Sequence, residues 1–337
     1  MRTTLEDLLK ATPVILADGA TGTNFMEMGL EPGYPPDLWN LSAPEKPRKL
    51  HQVFVDAGSD LILTNTFGAN APRLKLHQAE NETYAINRAG AEIAVEVAEA
   101  AKRPVVVAGS VGPTGELFEP MGALTMESAK AAFTTQMQGL KDGGVDVIWI
   151  ETMSAVEEIQ AAAEAAIALD MPYVFTASFD TAGKTMMGLA PDGLGDVAMS
   201  ISRQPLAYGA NCGVGASDML IANLAMTATA PEAVIVGKAN CGIPVIKGKE
   251  TVYTGTPEIM AEFVRMAVAS GVRIIGGCCG TAPEHVRAMR AALDRCLQDG
   301  VDTSPRPTLE EITASIGPLV APTGTRTRER KSRRHRE

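Results

Sequence analysis

Apolar positions along the chain gather into eight short, β-rich runs at residues 14–17, 61–64, 105–108, 147–150, 173–177, 207–210, 234–237 and 273–275. Each run ends in small or polar residues, and most are followed by a stretch with helical spacing. A strand buried on both faces has no polar side to show, so near-continuous apolar strands alternating with helices predict a parallel sheet covered by helices. Eight such units over roughly 300 residues predict an α/β chain folded as a (β/α)8 TIM barrel rather than a doubly wound sheet.

The intervening patterns predict helices over about 44–57, 72–102, 126–142, 155–169, 191–203, 217–229, 258–270 and 283–298. Ser154-Ala-Val-Glu157 and Thr281-Ala-Pro-Glu284 have capping-box spacing, and Thr256-Pro257-Glu258 puts proline at the first helical position. Two connections exceed what a barrel needs: 18–42, which holds Phe25, Tyr34 and Trp39, and 241–256, which holds Tyr253. Both are lid candidates. Beyond Cys296 the chain turns rich in Pro and Gly, with one short helical stretch near 308–316. The expected division is a single barrel domain over 1–300 and a C-terminal extension over 301–337.

Composition narrows the partners. With 45% hydrophobic residues the chain has ample material for a core, and 40 acidic against 30 basic residues give a net charge of -10. An acidic balance argues against nucleic acid and anionic membranes, which draw affinity from Lys and Arg. The exception is the run 326–337, with seven Lys or Arg and two Glu, which leaves about -15 on the rest. It reads as a solvated, disordered tail, or alternatively a docking arm for an acidic partner. The stretch 219–236 comes nearest to a membrane span, but Asn223, Pro231 and Glu232 interrupt it. Glu6, Asp7 and Lys10 stand where a signal peptide needs an apolar core, so a cytoplasmic protein is expected. A homo-oligomer is compatible with these features.

Chemistry in a barrel lies at the C-terminal ends of its strands. Here those ends read Asp18-Gly-Ala-Thr, Asn65-Thr66, Gly109-Ser110, Glu151-Thr152, Ser178 with Asp180, Asn211-Cys212, Lys238-Ala-Asn240 and Gly276-Gly-Cys-Cys-Gly280. Five cysteines in a reducing compartment point to metal or catalysis rather than disulfides. Three of them, Cys212, Cys278 and Cys279, share this rim. The sixth and eighth strands have one neighbour between them, roughly 10 Å at ladder spacing, within reach of thiolates converging on one ion. Three sulfur ligands without a fourth is the pattern of catalytic zinc, which keeps a position open. Alone, Cys212 would read as a small buried hydrophobe. The vicinal pair, flanked by glycines that allow a tight turn, is less ordinary, and adjacent cysteines close a disulfide only with strain. Cys241 and Cys296 remain ordinary buried cysteines.

Zinc on three thiolates polarises carbonyls poorly yet still strips the proton from an incoming thiol, so a small thiol is the implied substrate. Glu151, with Asp18 nearby, supplies carboxylates for an ammonium group. Backbone amides of the Gly19-Ala20 turn, with Ser110, suit a carboxylate. A thiol-bearing amino acid would satisfy all of these. The plainer alternatives are a rim salt bridge for Glu151 and a turn-forming role for Asp18. Lys238, at a strand end, could instead form a Schiff base as in an aldolase, which leaves the three cysteines unexplained.

The ordered elements Asp18-Gly-Ala-Thr-Gly-Thr23, Thr64-Asn-Thr-Phe-Gly-Ala69, Gly109-Ser-Val-Gly-Pro113, Glu151-Thr152, Asn211-Cys-Gly213 and Gly276-Gly-Cys-Cys-Gly-Thr281 resemble the homocysteine S-methyltransferase family. That family includes betaine-homocysteine methyltransferase, the homocysteine module of cobalamin-dependent methionine synthase and S-methylmethionine-dependent enzymes. The resemblance covers residues 1 to about 297. It implies a (β/α)8 barrel with one zinc, L-homocysteine as methyl acceptor and methionine as product. It further implies Cys212, Cys278 and Cys279 as zinc ligands and Glu151 as the residue holding the homocysteine amino group. Asp18, Gly19 and Ala20 match the turn at the substrate's amino-acid end, with Asn65 and Ser110 beside it. Asn240 resembles an Asn that fills the metal's open position before substrate displaces it.

The donor is not single-valued in this resemblance. Betaine enzymes enclose a quaternary ammonium in aromatic faces, but where that branch carries two tyrosines this chain has Thr152 and Gly68. Trp39 matches the branch's Trp, and Tyr34 or Tyr253 would have to build a different cage. The Thr-Asn-Thr-Phe-Gly-Ala form is closer to the methionine synthase module, whose donor would arrive on a separate corrinoid protein. Betaine, S-methylmethionine and a corrinoid protein are therefore the donors to weigh, and a homocysteine-binding subunit inactive with small donors is the alternative to an autonomous enzyme.

Overall fold

A computed structural model describes residues 2–242, 244–247 and 250–320. Eight parallel strands make the barrel: β1 (Ile15–Leu16), β2 (Leu61–Leu63), β3 (Val106–Val111), β4 (Val147–Met153), β5 (Tyr173–Ala177), β6 (Ala207–Cys212), β7 (Ile235–Ala239) and, after a hairpin of β8 (Pro244–Lys247) and β9 (Glu250–Tyr253), β10 (Ile274–Gly277). They pair in the order β1-β10-β7-β6-β5-β4-β3-β2. A single bridge, Ala17 to Leu61, closes the ring. Asp60 reinforces that seam by exchanging hydrogen bonds with Leu16, donating from its amide to Leu16 O at 2.7 Å and accepting from Leu16 N at 3.0 Å.

Helices cover the outside: α2 (Gly22–Glu27) and α3 (Trp39–Ser42) in the first long connection, then α4 (Glu45–Ala57), α5 (Ala71–Lys75), α6 (Thr83–Ala100), α7 (Met126–Asp142), α8 (Val156–Ala168), α9 (Leu194–Ser200), α10 (Ala216–Thr229), α11 (Pro257–Ala269) and α12 (Pro283–Asp299). An N-terminal α1 (Leu5–Ala11) contributes Leu5 to the cluster inside the barrel and so plugs its lower end. After α12 the chain returns over the outer helices. Ile312 of α13 (Leu309–Ser315) is buried in the outer core, and Ser217 of α10 donates to Gly317 O at 2.7 Å. The basic run 326–337 lies outside the described residues.

Period-two alternation decides which side chains face the centre. Val106 and Ala108, Val147 and Trp149, Val174, Ala207, Val236 and Ile274 form the inner cluster, while Val107, Ile148, Ile150, Phe175, Ile235 and Ile275 pack beneath the helices. Continuing that parity upward turns Ser110, Glu151, Thr176, Asn211, Lys238 and Cys278 inward. The upper interior is thus a polar layer resting on an apolar plug whose largest member, Trp149, is fully buried.

Three local expectations differ from the structure. The predicted helix over 72–102 is interrupted, with α5 ending at Lys75, Gln78 at φ 58° and α6 beginning at Thr83. Neither predicted capping box forms. Ala155 and Ala282 hold the cap positions, and at the second site the Ala282 amide donates to His285 Nδ1 at 3.1 Å. Thr256 does cap α11, accepting from Ile259 N. The connection 241–256 contains the antiparallel pair β8–β9, in which Pro244 faces Tyr253 and Lys247 faces Glu250 in register.

Candidate active site

The three rim cysteines converge. Cys212 Sγ lies 2.6 Å from Cys278 Sγ and 3.9 Å from Cys279 Sγ, and all three sulfurs lie within 4.8 Å of one another. Cys212 adopts φ 57°, a left-handed conformation that disfavours a side chain. A non-glycine held there is a strained position maintained by its surroundings, as functional residues often are. On the facing loop Gly280, at φ 79°, admits the Tyr253 ring so closely that a Cβ would sit 2.3 Å from Tyr253 Cγ. The Tyr253 hydroxyl is among the groups that favour the Cys279 thiolate.

Two asparagines fix the cysteine loops. Asn240 Nδ2 donates to Gly213 O at 2.9 Å, and its Oδ1 accepts from Cys279 N at 3.1 Å, so it ties the loop after β6 to the loop after β10. Asn211 is fully buried; its Oδ1 accepts from Thr152 N at 2.9 Å and Thr176 Oγ1 at 2.6 Å. Its Nδ2 donates to Thr152 Oγ1 at 2.7 Å and toward Cys278 Sγ at 3.8 Å. This network holds Thr152 at φ 64°, where the β4–β5 register shifts. Asn211 has no role in the expectations above, although its inward parity, two residues beyond Gly209, was a signal for it.

Beneath the cysteines sits a charged layer. Glu151 is 8% exposed and accepts from Ser110 Oγ at 2.5 Å. Burial pushes its carboxyl up to about 7, against the pull of Lys238 and the Ser110 hydrogen bond, while Cys278 and Asp18 add to the rise. Asp18 is buried and doubly engaged: Oδ1 accepts from Lys238 Nζ at 2.8 Å and Oδ2 from Leu63 N at 2.8 Å. Lys238 Nζ also lies over the Trp149 ring, 6.0 Å from its centroid. Burial works against the Lys238 charge, but Asp18 and Glu151 outweigh it and raise its proton affinity. A lysine so paired and protonated is a poor Schiff-base nucleophile.

Among the cysteines, Cys279 is the one driven toward the thiolate, down to about 3, because Cys212 and Cys278 donate to it. A thiolate within a group of three converging sulfurs is what a soft cation needs from its ligands.

The remaining expected residues fall in several places. Ala20 N donates to Thr281 O at 3.0 Å, and a Cβ on Gly19 would lie 2.6 Å from the same oxygen, so the turn after β1 packs tightly on the turn after β10. Asn65 donates to Pro36 O at 2.8 Å and Asn40 Oδ1 at 3.0 Å and thereby props the first long connection. Trp39 packs on Phe25, with ring centroids 5.1 Å apart, and carries Lys46 Nζ above it at 5.4 Å. Tyr34 is exposed, its hydroxyl 3.5 Å from Ser42 Oγ. Of the three aromatic candidates, Tyr253 is the one placed at the cysteines.

One barrel thus gathers three thiols at its rim over a buried carboxylate. The chain belongs to the homocysteine S-methyltransferase family, whose model matches residues 15–293. It is 30% identical over 325 residues to a methionine synthase of Mycobacterium leprae, covering 89% of this chain and 26% of that protein. A methionine synthase of Mycobacterium tuberculosis is 28% identical over 326 residues, with 90% and 26% covered. The chain therefore spans about a quarter of the length of these relatives. Its fold matches the Escherichia coli homocysteine methyltransferase MmuM in the metallated form, with TM-score 0.71, 24% identity, and 85% of this chain and 99% of that chain covered. Among the described residues, no helix is long and apolar enough to cross a membrane.

Proposed function

We propose that the protein is a zinc-dependent homocysteine S-methyltransferase that forms methionine from L-homocysteine. The observation that carries this reading is the convergence of Cys212, Cys278 and Cys279 above Glu151 in the mouth of one barrel. The donor set suits zinc: three sulfurs and, among the described residues, no fourth Cys or His in the cluster. When bound there, zinc supplies a lowered thiol pKa, so that the substrate sulfur is a nucleophile at neutral pH.

The chain's own residues do the positioning. Glu151 takes the substrate ammonium, whose positive charge would return the carboxyl to the ionised form. Ser110 orients Glu151, and the turn at Asp18, Gly19 and Ala20 lies at the amino-acid end of the substrate. Asn240 and Asn211 hold the cysteine loops, and Asn240 is the candidate for the metal's fourth position in the absence of substrate. The barrel wall excludes water from a displacement in which the S–CH3 bond forms as the donor's methyl bond breaks and its electron pair leaves with the donor.

For the donor, two arrangements are to be distinguished. Tyr253, with Trp39 and Tyr34 on the first long connection, is the aromatic material available for betaine or S-methylmethionine, although the site lacks tyrosines at Thr152 and Gly68. The loops above β3 and β5 expose Leu117, Met121 and Met186 at 52%, 64% and 69%. That apolar rim suits a protein-sized donor such as a methyl-corrinoid protein, and methionine synthases four times as long are among the relatives. The deciding experiment offers zinc-loaded protein and homocysteine with betaine, S-methylmethionine or methylcobalamin. Methionine formed from a free small donor supports an autonomous enzyme and rejects the subunit alternative. Methionine formation by a zinc-free Cys278→Ala variant at the wild-type rate overturns the metal reading.

A further inference from the structure

Lys238 carries no role in the reading above, yet it occupies the centre of the polar layer. It projects inward from β7 by the same parity as Val236 and Asn240, is 3% exposed, and rests over Trp149 at the top of the apolar plug. The charged or titratable groups facing it are Asp18 from the end of β1, Glu151 from β4 and Cys278 from the loop after β10. Among the described residues it is the one cation with these partners. Its neighbour Asp18 holds three elements at once: the side chain accepts from Lys238 and from Leu63 N of β2, and the backbone carbonyl accepts from Gly277 N at 3.0 Å. The β1–β2 seam has a single ladder bridge, so this buried pair fastens the place where the barrel is weakest and where the turn after β1 meets the cysteine loop.

We propose that Lys238 is a positioning residue of the homocysteine site, pinning Asp18 across the β2–β1–β10 seam and supplying the positive charge that Asp18 and Glu151 share. The inference rests on the homocysteine reading. Two carboxylates within one low-dielectric interior repel each other, and a single buried cation between them decides how much negative charge the layer holds. Removing the cation leaves Glu151 facing the Asp18 carboxylate without a compensating positive charge, which favours its protonated, non-binding form. Removing Asp18 instead turns the whole of the Lys238 charge on Glu151. The two changes therefore act on Glu151 with opposite sign, which a purely structural role for the pair does not produce.

The test is homocysteine binding by calorimetry on zinc-loaded protein from pH 6 to 9, for wild type, Lys238→Met and Asp18→Asn, with zinc content and thermal unfolding recorded for each. Lys238→Met is expected to keep its zinc, weaken binding at pH 7 by about tenfold, and move the acid limb up by about one pH unit. Asp18→Asn is expected to move that limb down. If Lys238→Met does not fold, Asp18→Asn decides the matter alone: a limb shifted to lower pH supports the inference, and an unmoved or raised limb overturns it. Wild type that fails to bind homocysteine sinks the functional reading. Wild type that binds while Lys238→Met matches it in affinity and pH profile sinks this inference only.

Discussion

Glu151→Gln separates stability from function. In the folded chain burial raises the Glu151 carboxyl from 4.5 to about 7. The folded state thus keeps a proton that the unfolded chain has lost, and stability contributed by this group falls as pH rises from 4.5 through 7. At 1.36 kcal/mol per pKa unit, the burden at pH 8 is about 3 kcal/mol, and at pH 5 it is under about 1 kcal/mol. Glutamine keeps the acceptor for Ser110 Oγ and never ionises, so the variant gains that amount. With an unfolding entropy of about 2.1 cal/mol/K per residue, 3 kcal/mol corresponds to roughly 4–5 °C in this chain. The assay is thermal unfolding by circular dichroism at pH 5 and pH 8, for wild type and variant matched in zinc content, beside homocysteine calorimetry. The expected result is a variant more stable at pH 8, nearly unchanged at pH 5, and deficient in homocysteine binding. A gain that is absent or independent of pH refutes the electrostatic argument, and unimpaired binding refutes the role given to Glu151.

Other outcomes follow from the same geometry. Cys278→Ala or Cys279→Ala is expected to drop zinc, read by inductively coupled plasma mass spectrometry, from near one per chain to near zero while far-UV circular dichroism stays unchanged. Asn211→Ala removes hydrogen bonds to Thr152, Thr176 and Cys278 and is expected to cost about 3 kcal/mol in denaturant unfolding and to weaken zinc about 10- to 100-fold in chelator competition. His51 is buried and burial lowers its pKa from 6.5 to about 4, so the unfolded chain takes up a proton that the folded chain refuses. Stability is therefore expected to fall as pH drops from 6.5 to 4, and His51→Gln should flatten that part of the urea-unfolding pH profile.

Strand positions were legible because parallel strands covered on both faces must be apolar throughout, and every predicted run contains a strand. The same alternation that sends Val147 and Trp149 inward also orients Glu151, so much of the site could be read once the barrel was assumed. Cys212, Cys278 and Cys279 announced themselves by type and by placement at strand ends. What escaped was pairwise. Lys238 reads from sequence as a Schiff-base nucleophile, since only the closed barrel brings β7 against Asp18, 220 residues away. Parity turns Asn211 inward, but its partners on β4, β5 and the loop after β10, like the backbone groups that Asn240 joins, are set by the closed barrel and by no local pattern. The β8–β9 hairpin was hidden because four-residue runs, one opening with Pro244, carry little periodicity, and the two capping boxes failed because each helix takes its N-cap one residue later, at Ala155 and Ala282.

The central claim is that three thiolates hold one zinc with a position for the substrate sulfur. X-ray absorption at the zinc edge counts those sulfurs directly in the full chain, with and without L-homocysteine. The account predicts three sulfur neighbours rising to four on addition of homocysteine; zinc that is absent from purified protein, or a sulfur count that homocysteine leaves unchanged, contradicts it.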